Sequence, residues 1–159
     1  MNILGVSAAQ GALLFPFLHS KKYKILANIE PRGVFHTSCE SQWKLNFRDI
    51  PFYRGFCLQE FDEKVDIVVA SPDGGIASIM RLSKVNKSLN LVIQSILHYK
   101  PKIFLIENLP RLLSLLPKEY LQKTLEDYKL IFHERSVLDY GNSQESRKRL
   151  LIIGVHKNR

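Results

Sequence analysis

Apolar residues come in short unbroken runs separated by polar turns, and these runs set the expected order of elements. Asn2 to Val6 is a short apolar strand, followed by the small-residue turn Ser7-Ala8-Ala9-Gln10-Gly11. Ala12 to His19 is apolar and predicts a helix whose regularity Pro16 limits, because a proline ring removes a backbone donor and fixes φ. Tyr23 to Ile29 predicts a second strand, with Glu30 at its tip because Pro31 cannot continue a ladder. Ser38 to Phe47 has helical spacing through Trp43 and Phe47, with Thr37 or Ser38 able to cap its start. Asp49 to Phe61, interrupted by Pro51 and Gly55, reads as a loop holding at most a short strand.

The middle of the chain carries its clearest signal. Val65 to Ala70 predicts a strand buried on both faces, emptying into the polar and glycine-rich loop Ser71-Pro72-Asp73-Gly74-Gly75. Between Lys87 and Tyr99, residues Leu89, Val92, Ile93, Ile96 and Leu97 share one helical face. Lys102 to Ile106 is another apolar strand, ending in Glu107-Asn108. Arg111 to Tyr128 predicts helix in two pieces, broken at Pro117. Leu130 to Leu138 and Arg149 to Val155 predict two closing strands joined by the polar segment Tyr140 to Lys148. Strands alternating with helices in this way imply an α/β domain with a mostly parallel sheet and helices on both faces.

Composition narrows the class. The 159 residues suffice for one domain with a real core, and 45% apolar with 24% charged residues is ordinary for a folded chain. No apolar run approaches the roughly 18–20 residues of a membrane span, and the start reads as a strand rather than a signal peptide. Cys39 and Cys57 have no metal-ligand spacing and are too few for a disulfide framework, so no metal site is expected and a cytoplasmic setting is. Lysine and arginine total 23 against 15 acids, a net charge of +8 that attracts polyanions, nucleic acid above all.

Three expected strand tips converge: the turn after the first strand, Glu30, and Ser71 to Gly75. In doubly wound sheets such tips form one crevice, where a small-residue turn admits a ligand closely and an acid can meet ribose hydroxyls. Together they point to a ligand containing a nucleoside.

The ordered segments resemble the DNA (cytosine-5) methyltransferase family. Asn28-Ile29-Glu30 and Trp43-Lys44-Leu45-Asn46-Phe47 are similar to its second strand and the following helix. Asp66 to Ser78 resembles the strand and loop that carry its Ser-Pro-Asp-Cys or Pro-Pro-Cys nucleophile motif. Lys100 to Leu109 is similar to the strand ending in Glu-Asn-Val. Tyr140-Gly141, Gln144, Arg147, Arg149 and Ile152-Ile153-Gly154 resemble the Gln-x-Arg-x-Arg segment, with about one extra residue.

That resemblance implies a Rossmann-like S-adenosylmethionine-dependent methyltransferase fold with a closing antiparallel strand. It implies S-adenosyl-L-methionine as cofactor, DNA as partner, and a cysteine thiolate that attacks carbon-6 of a flipped cytosine. Glu107 then falls at the position that holds the ring nitrogen, and Arg147 or Arg149 at the position supporting the base. On the cofactor side, the resemblance assigns Ser7, Ala9, Gly11, Glu30, Ser71 and Pro72, together with Asp49 or, in another register, Phe56 at the adenine-binding position.

Departures from the family pattern redirect the expectation. Gly74 stands at the nucleophile position, and shifting the register by one puts Asp73 there, a poor nucleophile toward a pyrimidine. Ala9 adds a Cβ where the family's glycine lets backbone approach the cofactor. Within the 159 residues there is no target-recognition domain and no C-terminal return helix. The expectation is therefore a single-domain, catalytically inactive relative that binds DNA or a partner protein. A protein partner or second copy would cover the sheet face left bare near Ala12 to His19. The alternative is an active subunit completed by a second chain. Transfer to an exocyclic amino group, suggested by Ser71-Pro72, lacks the aromatic residue needed to stack a flipped base, since Asp73 and Gly74 follow.

Overall fold

The computed structural model describes residues 1–31, 37–55, 58–72, 82–141 and 147–159. Seven strands form one sheet in the order β3-β2-β1-β4-β5-β7-β6. They are β1 (Asn2–Val6), β2 (Lys24–Glu30), β3 (Phe52–Arg54), β4 (Ile67–Ala70), β5 (Ile103–Asn108), β6 (Tyr128–Ser136) and β7 (Lys148–His156). The strands β3, β2, β1, β4 and β5 pair in parallel, and β7 runs antiparallel between β5 and β6. The α/β class, the parallel core and the closing antiparallel strand all agree with the sequence reading.

Helices cover the two faces unequally. On one face α3 (Leu82–Tyr99), α4 (Leu112–Leu115) and α5 (Lys118–Thr124) lie over a core that includes Leu4, Val68, Phe104, Ile106 and Ile152, with Val92, Ile96, Leu112 and Leu121 from the helices. On the other face α1 (Phe15–Leu18) and α2 (Thr37–Phe47) close a smaller core of Ile3, Ile25, Ile67 and Val69 beneath Leu14, Trp43 and Phe47. Trp43 is fully buried, stacks on Phe47 with ring centroids 4.0 Å apart, and donates its indole N–H to the Ile50 carbonyl at 2.8 Å.

Local differences from the expected elements have local causes. The Ala12 to His19 helix is a 3-10 turn at Ala12–Leu14 followed by the single turn of α1. Pro16 stands at its start and leaves too little chain for more. Helix α3 begins five residues before Lys87. Helix α5 stops at Thr124 rather than Tyr128, whose side chain enters the core as the first residue of β6. Gly154 allows β7 to lie against Phe104, since a Cβ there would sit 2.1 Å from the Phe104 ring.

Candidate functional site

The turn after β1 is bent by residues that resist bending. Ser7 and Ala9 have φ of 51° and 49°, the left-handed region that side chains disfavour, and Gly11 has φ 87°. Asn28 holds this turn in place from within β2. Its Oδ1 accepts from the Ala8 N–H at 3.3 Å, and its Nδ2 donates to the Ala9 carbonyl at 3.3 Å and to Glu30 Oε1 at 2.9 Å. Glu30 Oε1 also accepts from the Ala9 N–H at 2.6 Å. Gly11 packs against Trp43 and Phe47, with no room for a Cβ, and so shapes the turn from below.

Glu30 is 2% exposed, and burial pushes its carboxyl up to about 7 against the lowering effect of the Asn28 and Ala9 hydrogen bonds. Its Oε2 and the Ser7 hydroxyl are buried without a protein partner. An unfilled acceptor at the tip of β2, beneath a turn whose backbone faces a cleft, fits a hydroxyl donor such as a ribose. S-adenosylmethionine therefore suits the residues present, with the Ala9–Glu30 bond the contact its ribose would compete for.

Beside this turn lies a cleft of about 510 Å³. Ala8, Ala9 and Gln10 form one wall, and Ser71 and Pro72 at the end of β4 form its floor. Glu107, Asn108 and Leu109 at the end of β5 and Arg147 and Arg149 at the start of β7 form the opposite wall. Parallel pairing puts the β1, β4 and β5 ends side by side, and the antiparallel β7 brings its beginning to the same edge. Glu107 is held from both sides: its Oε1 meets Arg149 Nε at 2.9 Å and its Oε2 accepts from the Ser71 hydroxyl at 2.7 Å. Buried Asn108 donates to the Pro72 carbonyl at 2.8 Å, which ties the β4 exit to the end of β5.

Ala9, Ser71, Pro72, Glu107, Arg147 and Arg149 all line this cleft. Both arginines of the pair reach the cleft: Arg149 grips Glu107, and Arg147 is exposed at the mouth. Ser7, Gly11 and Glu30 sit under the turn rather than on the cleft wall. Asp49, one of the two alternatives for the adenine-binding position, is not brought to this cleft. It is exposed in the turn that leads into β3, at the amino end of that strand, whereas the cleft is at the carboxyl ends. Phe56, Asp73, Gly74 and Cys57 lie outside the described residues. Cys39 is buried, and burial with the nearby Glu30 charge raises its thiol, so it offers no ready thiolate. Among the described residues no cluster of three or more His, Cys, Asp or Glu could hold a metal, and no helix is long and apolar enough to cross a membrane.

The sequence placed Asn28 in the segment Asn28-Ile29-Glu30 and Asn108 beside Glu107 without a role for either. The signal for Asn28 was present, because a single amide within the apolar run Ile25 to Ile29 must find hydrogen bonds inside the fold.

The family model described as C-5 cytosine-specific DNA methylase matches residues 17–159. Among solved structures, the chain is similar to a protein described as a DNA modification methyltransferase encoded within an E. coli prophage. The identity is 17% and the TM-score 0.76, over 99% of this chain and 47% of that one. It is similar to the S. pombe Dnmt2 methyltransferase at 15% identity and TM-score 0.74, over 100% of this chain and 50% of that one. It is also similar to the N-terminal domain of human METTL16 in complex with SAH, at 13% identity and TM-score 0.60, over 97% of this chain and 60% of that one. The chain thus spans about half the length of the first two. None of the curated proteins matches it by sequence.

Proposed function

Because the chain belongs to the C-5 cytosine-specific DNA methylase family, we propose that it holds cytosine-containing DNA at the cleft without the covalent step by which that family methylates. The observation that carries this reading is Glu107, clasped between Arg149 and Ser71 on the cleft wall while the sequence has Gly74 where a cysteine is needed. A carboxylate fixed by two donors is oriented before any base arrives, so it presents its remaining lone pairs to the amino group of cytosine at little reorganisation cost, and it would hold the ring nitrogen, itself an acceptor, only through a shared proton. Glycine has no nucleophile to offer. The Asp73 carboxylate of the alternative register is far weaker than a thiolate toward carbon-6 of a pyrimidine, and the Cys39 thiol is buried in α2.

S-adenosylmethionine would be held by the Ala9 backbone, Ser71 and Pro72 on the cleft wall, and would reach Glu30 only by displacing the Ala9 N–H that covers it, with Ser7 and Gly11 shaping the turn. When bound, it supplies an electrophilic methyl group. The protein's own residues position the ligand there: Asn28 fixes the turn, and Asn108 fixes Pro72. The net charge of +8 favours a DNA partner through attraction to phosphates.

The test combines two measurements. Purified protein is incubated with labelled S-adenosylmethionine and duplex DNA in which cytosine is replaced by 5-fluorocytosine, which traps any enzyme that adds a thiolate to carbon-6. In parallel, binding of S-adenosylhomocysteine and of unmodified DNA is titrated. The expected result is binding with neither methyl transfer nor a denaturant-stable adduct. Transfer to cytosine or a trapped adduct overturns the inactive reading, and absence of DNA binding overturns the binding role.

A further inference from the structure

The cover over the smaller core ends between β4 and β5. Register pairs place Ile67 beside Ile103 and Val69 beside Leu105, yet only Ile67 and Val69 lie under α1 and α2. The same face continues outward through Val155 and Ile153 of β7 to Ile131 of β6. Ile103 is 37%, Val155 38% and Ile131 45% exposed, and Leu105, Leu151 and Ile153 are half-buried. Among the described residues no helix packs on this strip, whereas the opposite faces of the same strands are buried under α4 and α5.

The strip has the dimensions of a helix. From β5 across β7 to β6 it is roughly 10 Å wide, at about 4.8 Å between neighbouring strands. Five strand residues run for about 17 Å, the length of some eleven helical residues or three turns. One long edge is basic: the cations Lys129 and Arg135 of β6 point to this face with His133 between them, opposite Val155, Arg149 and Leu151 of β7 respectively. The only carboxylate in these rows, Glu107, is already paired with Arg149. A second copy would bring cationic edge against cationic edge. Antiparallel pairing of two β6 strands about Phe132 would oppose Lys129 with Arg135, so self-association is disfavoured.

We propose that this face docks an amphipathic helix of a partner polypeptide, about three turns long, whose acidic edge meets Lys129, His133 and Arg135. Apolar residues at i, i+3, i+4 and i+7 of that helix cover Ile103, Leu105, Ile131, Ile153 and Val155. Carboxylates along its outer edge pair with Lys129 and Arg135 and fix its direction.

Two fluorescent synthetic helices of about 14 residues, with the same leucine stripe and either glutamate or lysine along one edge, serve as probes. Their binding to the full chain is followed by fluorescence anisotropy. The acid-edged helix is expected to bind at least tenfold more tightly than the lysine-edged one. Ile131→Glu and Val155→Glu, both at exposed positions, are expected to weaken it at least tenfold with circular dichroism unchanged. The double substitution Lys129→Glu and Arg135→Glu is expected to reverse the preference between the two helices. The proposal is overturned if both helices bind alike, or if neither binds the folded chain. It is equally overturned if sedimentation shows a dimer that Ile131→Glu dissociates, or if lipid vesicles compete for the face.

Discussion

Glu30 is a carboxyl group buried at the tip of β2. An ordinary glutamate titrates near 4.5, and here burial raises the value to about 7. The folded chain therefore keeps a proton that the unfolded chain releases between those two values. Below about pH 4.5 both states are protonated and the acid costs nothing. As pH rises towards 7 the unfolded chain gains, stability falls, and above 7 the full penalty, on the order of 3 kcal/mol, is present. Glu30→Gln keeps an oxygen that can accept from Ala9 and Asn28 but cannot ionise. It is expected to match the native protein's stability near pH 4 and exceed it by about 2–3 kcal/mol near pH 8 in urea unfolding. Parallel pH profiles for the two proteins would refute this. The same substitution is expected to weaken S-adenosylhomocysteine binding at pH 8, where the native carboxylate is the stronger acceptor for a ribose hydroxyl.

Helix ends show where individual elements depart from their usual residues. α2 and α3 are each followed by a basic residue with left-handed backbone, Arg48 at φ 41° and Lys100 at φ 45°. Their N–H groups close the last turns onto the Lys44 and Ile96 carbonyls. Glycine is the usual occupant because a Cβ costs roughly 1 kcal/mol there, while a cation recovers some of that from the carbonyl end of the helix. Lys100→Gly is expected to raise stability by about 0.5–1 kcal/mol, and Lys100→Ala to give no gain, both read from urea midpoints. At this scale the chain was largely legible. The β4 and β5 runs announced buried central strands, and Pro117 marked the division between α4 and α5. Boundaries shifted where tertiary packing recruited a residue, as with Tyr128, whose ring joins the core and whose hydroxyl donates to the Pro101 carbonyl at 3.0 Å.

Across the whole molecule the excess of positive charge sets how a polyanion would be met. DNA affinity is expected to fall steeply with salt, because each neutralised phosphate releases counterions. Arg147 is exposed at the cleft mouth, so Arg147→Ala is expected to lower the slope of log affinity against log salt by about one without changing the fold. Fluorescence anisotropy with a short duplex over a salt series checks this, and a salt-independent affinity would contradict the role given to charge.

The sequence by itself determined the class of fold and most of the cleft, because buried strands must be continuous apolar runs and ligand residues cluster at their ends. Glu107, Ser71, Pro72 and the Arg147–Arg149 pair were legible for that reason. Only the tertiary structure decided which charges meet. It turned Glu30 inward onto Ala9, set Arg149 rather than Arg147 on Glu107, and put Asp49 at the far end of β3. It also decided which faces are covered. The alternating β6 and β7 pattern reads the same whether or not a helix lies above it, and among the described residues the placement of α1 and α2 leaves that strip of sheet uncovered.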